Sequence, residues 1–375
     1  MPEVVDRIVA AFARRFAEGR PVDRADVAWR VTPTDLAPFT RGDGPGTPVG
    51  RDGVGHGDDA FGRRADGTSV RLRGRLAEAG APGPDPVRLR ARKPEWMRVP
   101  LDTGSNFRRV KATVRGLDLT TVCEEAGCPN ISECWNDGTA TFMILGERCT
   151  RACGFCLVDT RRPGSVDPDE PRRIAAAVEQ MSLRHAVITM VARDDLPDGG
   201  AAAVAATVGA VRDRNPGCTV ETLISDLRGD EESLATVAAA RPDVLNHNIE
   251  TVARLQRAVR PAAGYARSLA VLARAKAAGL TTKSSLIVGM GETEEEIDQT
   301  LRDLASVDVD IVTIGQYLRP TSHHLPVARF WTPDRFAAWK AAGEAMGIRH
   351  VESSPLTRSS YHAREAAAAA APTPT

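Results

Sequence analysis

Apolar runs alternate regularly with amphipathic segments from the middle of the chain onwards. Six runs rich in β-branched residues predict strands, at 140–146, 186–192, 219–225, 244–250, 282–290 and 311–318. The intervening and following segments predict helices, at 171–183, 201–215, 231–241, 265–279, 293–307 and 333–347. The strands are nearly continuously apolar, which is typical of a parallel sheet buried on both faces. Six β-α units in succession predict an α/β fold whose parallel sheet closes wholly or partly into a barrel.

The beginning of the chain has a different pattern. Residues 3–18 carry apolar side chains at near-helical spacing and predict one amphipathic helix. Between Pro38 and Val87 about a third of the residues are Gly or Pro, mixed with Arg and Asp, and apolar periodicity is nearly absent. That composition is typical of linker or disordered sequence. We therefore expect 1–90 to be a largely disordered extension, with ordered sequence beginning near Arg92.

Composition and charge narrow the possible partners. Hydrophobic residues make up 42% of the 375 residues, which is enough for a sizeable core. The formal net charge is zero, so no overall field favours nucleic acid or an anionic membrane. No apolar run approaches the roughly 18 residues of a membrane span, and the N-terminus lacks the order of a secretory signal. We expect a soluble cytoplasmic protein with no nucleic-acid or membrane partner.

Six of the seven cysteines form two triplets. The first triplet, Cys149-x3-Cys153-x2-Cys156, directly follows the first predicted strand. The second triplet precedes that strand and consists of Cys123, Cys128 and Cys134. Clustered cysteines in an intracellular chain favour metal binding over disulfides, and three thiolates on one iron–sulfur cluster leave an open iron. A zinc site, or a disulfide pair with a spare thiol, remains an alternative.

Polar residues gather after the predicted strands. Because function in parallel barrels lies at the carboxyl ends of the strands, we expect these residues to share one edge of the sheet. Those we single out are Cys149, Arg193 to Asp195, Gly199, Gly200, Asn246 to Asn248, Glu250, Gly289 to Glu292, Gln316 and Tyr317. Each also has a structural interpretation, such as a helix cap or a tight turn, and the prediction depends on their convergence.

Several stretches together resemble the lipoyl synthase family of the radical S-adenosylmethionine superfamily. They are VCEEAGCPNISECW, CTRACGFC, ARDDLPDGGA, NHNIETV, TKSSLIVGMGET, TIGQYLRP and RSSYHA. The resemblance extends from about Arg92 to Ala363. It implies a partial (β/α)6 barrel at 140–350, an auxiliary-cluster region at 91–139 and a C-terminal ligand segment at 351–363. We expect the alanine-rich end, 364–375, to be a disordered tail.

The resemblance also implies residue roles. The first triplet would hold the 4Fe-4S cluster that cleaves S-adenosylmethionine, and the second would hold an auxiliary 4Fe-4S cluster. A serine of the RSSY motif would be the fourth ligand of the auxiliary cluster, with Ser360 favoured over Ser359. Polar partners for the cofactor or substrate would be Asn248, Glu250, Arg260, Lys283, Asp194 and Asp195.

The implied reaction inserts two sulfur atoms at C6 and C8 of an octanoyl chain attached to a lysine of a lipoyl carrier protein. The auxiliary cluster would be the sulfur donor. An electron donor and an iron–sulfur carrier that rebuilds the cluster would be further partners. Two alternatives are another sulfur-inserting radical enzyme and a structural zinc-binding protein.

Overall fold

The computed structural model describes residues 76, 79–80, 92–98, 104–125, 127–136 and 140–370. The helix predicted at 3–18 and almost all of the extension predicted at 1–90 lie outside the described residues. The same is true of 371–375.

One sheet of eight strands organises the described chain, and its strand order follows the sequence. The strands are β1 Thr120–Thr121, β2 Thr141–Ile144, β3 His185–Met190, β4 Thr219–Leu223, β5 Val244–Asn246, β6 Thr281–Val288, β7 Ile311–Gln316 and β8 His350–Ser353. Strand β1 pairs antiparallel with β2, and every later pairing is parallel. Within the described residues the sheet ends at β1 and β8, so the barrel is open. The predicted α/β partial barrel is confirmed.

Helices connect the strands and cover the outside of the sheet. They are α1 Ser105–Gly116, α2 Val122–Glu125, α3 Ile131–Asn136, α4 Glu170–Gln180, α5 Ala201–Arg214, α6 Glu231–Ala239, α7 Gln256–Val259, α8 Tyr265–Ala277, α9 Glu294–Ser306, α10 Pro333–Ala345 and α11 Ala363–Ala370. None of these described helices is both long enough and apolar enough to cross a membrane.

Local sequence explains where the helices begin. Helix α9 begins with a capping box, in which the Thr293 hydroxyl accepts the Glu296 N–H and the Glu296 carboxylate accepts the Thr293 N–H. Helix α10 has Pro333 at its first position, where the missing N–H costs nothing. All six predicted strands and the six helices predicted between and after them are present, with ends that differ by a few residues.

The alanine-rich end is a correction to the prediction of a disordered tail at 364–375. Residues Ala363–Ala370 form α11, because alanine has the highest helix propensity. Ala366 and Ala370, one helical turn apart, are buried against Val244 and Ile311. Those two residues begin β5 and β7, so α11 packs against the amino edge of the sheet.

Candidate functional site: a cavity lined by two cysteine triplets

A cavity of about 670 Å³ opens at the carboxyl edge of the sheet. Strands from β2 to β7, with β5 as the exception, contribute side chains or backbone to its wall: Thr141, Thr189, Leu223, Ser285 and Gly315. All six clustered cysteines line the same cavity, and Ser359 and Ser360 line it as well. The structure therefore brings together both triplets and the serine pair, which are far apart in sequence.

The first triplet lies on a loop that is fixed to the end of β3. Thr150 donates its N–H and its hydroxyl to the Ala192 carbonyl, at 3.0 and 2.9 Å. The Asp194 N–H returns a hydrogen bond of 3.0 Å to the Thr150 hydroxyl. At the start of the loop, the Cys149 N–H donates to the Asp159 carbonyl at 2.8 Å. Cys149 thus has backbone hydrogen bonds on both sides that fix its position.

A buried ion pair anchors the same loop to the segments that follow β3 and β4. The Arg151 guanidinium donates two hydrogen bonds of 2.7 Å to the Asp194 carboxylate and one of 2.6 Å to Asp226. Arg267 adds a longer contact of 3.3 Å to Asp226. Burial alone would raise the pKa of Asp226, but the charge and hydrogen bond of Arg151, together with nearby groups that include Arg267, outweigh it and lower the pKa to about 2. Asp226 is therefore charged at neutral pH.

The other end of the loop is held by the segment that follows β7. The Leu325 N–H donates to the Gly154 carbonyl and His324 Nε2 donates to the Cys156 carbonyl, both at 2.9 Å. Because a carbonyl can only accept, His324 carries its proton on Nε2, and its Nδ1 accepts from the Thr321 hydroxyl. A Cβ on Gly154 would lie 2.7 Å from the Leu325 side chain, so this position requires glycine.

The second triplet is built on two short helices in front of β2. Cys123 is in α2 and Cys134 is in α3, and the Cys128 N–H donates to the Cys123 carbonyl at 3.0 Å. Trp135 is fully buried behind this loop and packs on Phe107 of α1, with ring centroids 4.9 Å apart. The apolar support fixes the loop on the cavity wall.

The cysteines have the chemistry of iron–sulfur ligands. All seven are free thiols, so the alternative of a disulfide pair is wrong. Burial raises the pKa of Cys123 and of Cys153 to about 11 and that of Cys156 to about 12. Buried thiols of this kind become thiolates when a metal displaces the proton. In the described part of the chain no three His, Cys, Asp or Glu side chains are spaced for a single metal ion. A cluster binds its thiolates on separate irons, which calls for a wider spacing.

Three of the predicted cofactor residues form one polar group on the cavity wall. Asn248 donates its side-chain amide to Glu250 at 3.0 Å, and Arg260 donates to the Asn248 carbonyl at 2.9 Å. The side-chain oxygen Asn248 Oδ1 is buried without a hydrogen-bond partner. Burial raises the pKa of Glu250, although Arg260 opposes it. An unpaired buried acceptor at a cavity is a site for a ligand donor.

Glu250 is also held in an unusual backbone conformation. Its φ is 65°, in the left-handed region that is costly for a residue with a Cβ. Hydrogen bonds of 2.9 Å on both sides, from its N–H to Ser285 and from Ile287 to its carbonyl, bridge it to β6 and maintain this conformation. The Glu250 side chain is thereby kept on the cavity wall.

The other three predicted cofactor residues do not line the cavity. Lys283 is fully buried and donates to both carboxylate oxygens of Glu221, at 2.9 and 3.0 Å. The expectation that Lys283 lies near the cofactor is therefore corrected. Burial alone would raise the pKa of Glu221, but Lys283 lowers it. Asp194 is bound to Arg151, and Asp195 forms two hydrogen bonds of 2.9 Å with Arg193.

Two residues that hold the first loop, Arg151 and His324, were not predicted from the sequence. Arg151 lies between Cys149 and Cys153 of the first triplet, where a charged residue in a buried loop needs a partner. His324 lies in a segment without helical or strand periodicity after β7. Its position beyond the carboxyl end of β7 is a signal that could have identified it.

Comparison with known proteins agrees with this arrangement. A model of the radical SAM superfamily matches residues 143–304, which places the chain among the radical SAM enzymes. A model of the N-terminal domain of lipoyl synthase matches residues 85–128. The chain is 59% identical to the lipoyl synthase of Rubrobacter xylanophilus over 73% of this chain and 86% of that protein. It is 53% identical to the lipoyl synthase of Koribacter versatilis over 74% and 92%, respectively. The chain belongs to the lipoyl synthase family.

The fold has a more distant similarity to the FeFe-hydrogenase maturase HydG from Carboxydothermus hydrogenoformans. That comparison gives a TM-score of 0.46 and 14% identity, and covers 72% of this chain and 62% of the other. Membership of the lipoyl synthase family confirms the resemblance in sequence and defines the cofactors. They are S-adenosylmethionine, the 4Fe-4S cluster common to the superfamily, and an additional auxiliary cluster.

Proposed function

We propose that this chain inserts two sulfur atoms at C6 and C8 of an octanoyl chain attached to a lysine of a lipoyl carrier protein. The observation that carries the proposal is that both cysteine triplets and Ser360 line one cavity. A sulfur donor and a hydrogen-abstracting centre must both reach the same carbon chain, and a shared cavity allows this. The reaction occurs at unactivated C–H bonds, which side-chain acids and bases cannot deprotonate.

Cys149, Cys153 and Cys156 hold the 4Fe-4S cluster that binds S-adenosylmethionine in this proposal. Their loop has the rigidity that the role requires, since hydrogen bonds from Thr150, Arg151 and the segment after β7 fix it at three points. Three thiolates leave one iron for the amino acid part of the cofactor.

Cys123, Cys128 and Cys134 hold the auxiliary 4Fe-4S cluster, with the Ser360 hydroxyl as the fourth ligand. Ser359 also lines the cavity and is the second choice. Both serines follow Arg358, which lies near Cys128 and places positive charge beside that thiol. Burial raises the pKa of the Cys128 thiol, and the Arg358 charge partly opposes that shift and so favours the thiolate form that iron requires.

Asn248, Glu250 and Arg260 bind S-adenosylmethionine. The free Asn248 Oδ1 and the carboxylate of Glu250 suit hydroxyl and ammonium donors, and Arg260 suits a carboxylate. Asp194 supports the site through Arg151, and Asp195 supports it through Arg193. When bound, the clusters and S-adenosylmethionine supply the radical that abstracts hydrogen and the sulfide that is inserted.

The cavity wall also suits an acyl chain. Met143, Leu223 and Ile287 line it, so the octanoyl chain would lie among apolar side chains and away from water. The lysine arm of the octanoylated carrier domain would enter from the open edge. An electron donor that reduces the first cluster and an iron–sulfur carrier that rebuilds the second are further partners of this reaction.

The test is an anaerobic assay with an octanoyl-lysine peptide, S-adenosylmethionine and dithionite, read by mass spectrometry. The wild type should add two sulfur atoms to the peptide. A Cys123→Ala, Cys128→Ala, Cys134→Ala variant should still form 5′-deoxyadenosine but add no sulfur. Cys218→Ala is the matched control, because Cys218 is buried away from the cavity lining. Sulfur insertion by the triple variant would contradict the proposal.

A further inference from the structure

The C-terminal ligand segment is fixed along its first part. The Ser354 N–H donates to the Ile314 carbonyl and the Gln316 N–H donates to the Pro355 carbonyl, each at 3.2 Å, which attaches the segment to β7. The buried Asn130 side chain donates to the Leu356 carbonyl at 2.8 Å. The Thr357 carbonyl then packs directly against Gly315, in space that a Cβ would fill. Up to Thr357 the segment is held by buried contacts.

Between Thr357 and the buried start of α11 the contacts are of a different kind. Residues 358–361 form a turn, in which the Tyr361 N–H donates to the Arg358 carbonyl at 2.9 Å. The Tyr361 hydroxyl donates to the Glu133 carboxylate at 3.0 Å, and the Glu133 side chain is about half exposed. The neighbouring His362 stacks on the Tyr361 ring and lies 3.7 Å from the same carboxylate. This contact joins residues 228 positions apart.

This hydrogen bond joins residues that are next to two proposed cluster ligands in sequence. Glu133 directly precedes Cys134, and Tyr361 directly follows Ser360. The bond therefore ties the neighbour of one proposed ligand to the neighbour of another. An exposed hydrogen bond breaks more easily than the buried contacts before Thr357.

We propose that the Glu133–Tyr361 hydrogen bond is a releasable latch that holds Ser360 on the auxiliary cluster side of the cavity. Glu133 and Tyr361 are positioning residues, and the segment before Thr357 and the buried helix α11 are the fixed points between which the latch opens. The inference rests on the proposed function, because it assigns Ser360 as a ligand. A cluster that gives up sulfide benefits from a ligand segment that can move away without unfolding the barrel.

The first arm of the test uses hydrogen exchange on the apo protein, which needs no cluster. Tyr361→Phe and Glu133→Ala should accelerate amide exchange in 358–362 about 3- to 10-fold, the factor expected for one hydrogen bond. Exchange in β6 and β7 should not change. Glu133→Gln, which keeps an acceptor oxygen, should stay near the wild type. Tyr265→Phe is the matched control, because it removes a 2.6 Å bond to Asp303 away from this cavity.

The second arm measures iron release to a chelator in a background of Cys149→Ala, Cys153→Ala, Cys156→Ala, where only the auxiliary cluster can form. Tyr361→Phe should release iron about 3- to 10-fold faster than the background, and Tyr265→Phe should not. Equal exchange and equal iron release in Tyr361→Phe and wild type would overturn the latch and leave the proposed function standing. A background variant that holds no iron would overturn the proposed function and the latch with it.

Discussion

The loop of the first cysteine triplet and the C-terminal segment beside the second triplet are held in different ways. The loop with Cys149 to Cys156 is fixed by a buried ion pair between Arg151 and Asp226 and by hydrogen bonds from two other barrel loops. The C-terminal segment with Ser360 is fixed up to Thr357 and again by α11, and between these two points a partly exposed hydrogen bond joins Tyr361 to Glu133.

The difference agrees with the fates of the two clusters in the proposed reaction. A cluster that only transfers electrons needs a ligand loop that stays in place through every cycle. A cluster that is consumed needs ligands that separate and return. A buried hydrogen bond opens less often than an exposed one, since a buried polar group has no water to replace its partner.

The largest effect should come from a charge pair that serves neither region. Lys283→Met leaves the buried Glu221 carboxylate without its cationic partner, with only the Asn246 amide at 3.0 Å and His185 at 3.8 Å beside it. We expect a loss of about 3–5 kcal/mol in the free energy of unfolding. Urea unfolding of the apo protein measures it. Glu221→Leu in the same chain should restore most of the loss, because it removes the stranded charge. A loss below about 1 kcal/mol in Lys283→Met would show that the pair is unimportant.

Removing Arg151 should weaken the first region alone. Arg151→Leu strands Asp226, and since Arg267 remains nearby we expect a loss of about 2–3 kcal/mol. The variant should also retain less iron on the first triplet while the second keeps its cluster. Arg161→Ala is the matched control, because its pair with Asp159 is exposed and should contribute little to stability. Equal losses of stability and of first-triplet iron in Arg151→Leu and Arg161→Ala would contradict the claim that the buried Arg151 pair fixes the first loop.

Gly154 tests the packing of the first loop. Gly154→Ala places a Cβ 2.7 Å from the Leu325 side chain, and we expect a loss of about 1–3 kcal/mol together with reduced iron on the first triplet. Thermal unfolding and iron analysis measure the two effects. Gly209→Ala in α5 has open space at its Cβ and should stabilise by up to about 1 kcal/mol. If both alanine variants behave alike, the close contact at Leu325 is not a constraint.

The pH dependence of stability should report the Arg151 anchor. The pKa of Asp226 is lowered to about 2, so its stabilisation is present above the unfolded pKa near 4 and is lost as pH falls towards 2. Between pH 6 and pH 3 this one carboxylate should account for about 1 kcal/mol of lost stability. Urea unfolding across that range should show a smaller acid loss in Asp226→Asn than in wild type. Parallel curves would contradict the anchor.

Much of the fold could be predicted from the sequence, because the barrel strands are apolar on both faces. Strands β1 and β8 could not, since β1 has two residues and β8 alternates polar with buried positions. Helix α11 was missed because an alanine run resembles a low-complexity tail until its buried partners, Val244 and Ile311, are known.

The site was predictable as far as local motifs allow. Both triplets, Ser360 and the group of Asn248, Glu250 and Arg260 line one cavity. Of the residues that the strand-end rule singled out, those that line it are Cys149, Asn248, Glu250, Gln316 and Tyr317; Arg193 to Asp195, Gly199, Gly200, Asn246, His247 and Gly289 to Glu292 do not. Lys283 could not be placed correctly, because its partner Glu221 is 62 positions away on a different strand. The roles of Arg151 and His324 likewise depend on contacts between loops that carry no common motif.

The most direct test of the account is the iron and acid-labile sulfide content per chain after anaerobic reconstitution. We expect about eight irons in the wild type and about four in each variant that replaces one triplet by alanine, because each triplet holds its own 4Fe-4S cluster. About four irons in the wild type, or zinc in place of iron, would contradict the claim that two clusters share this cavity.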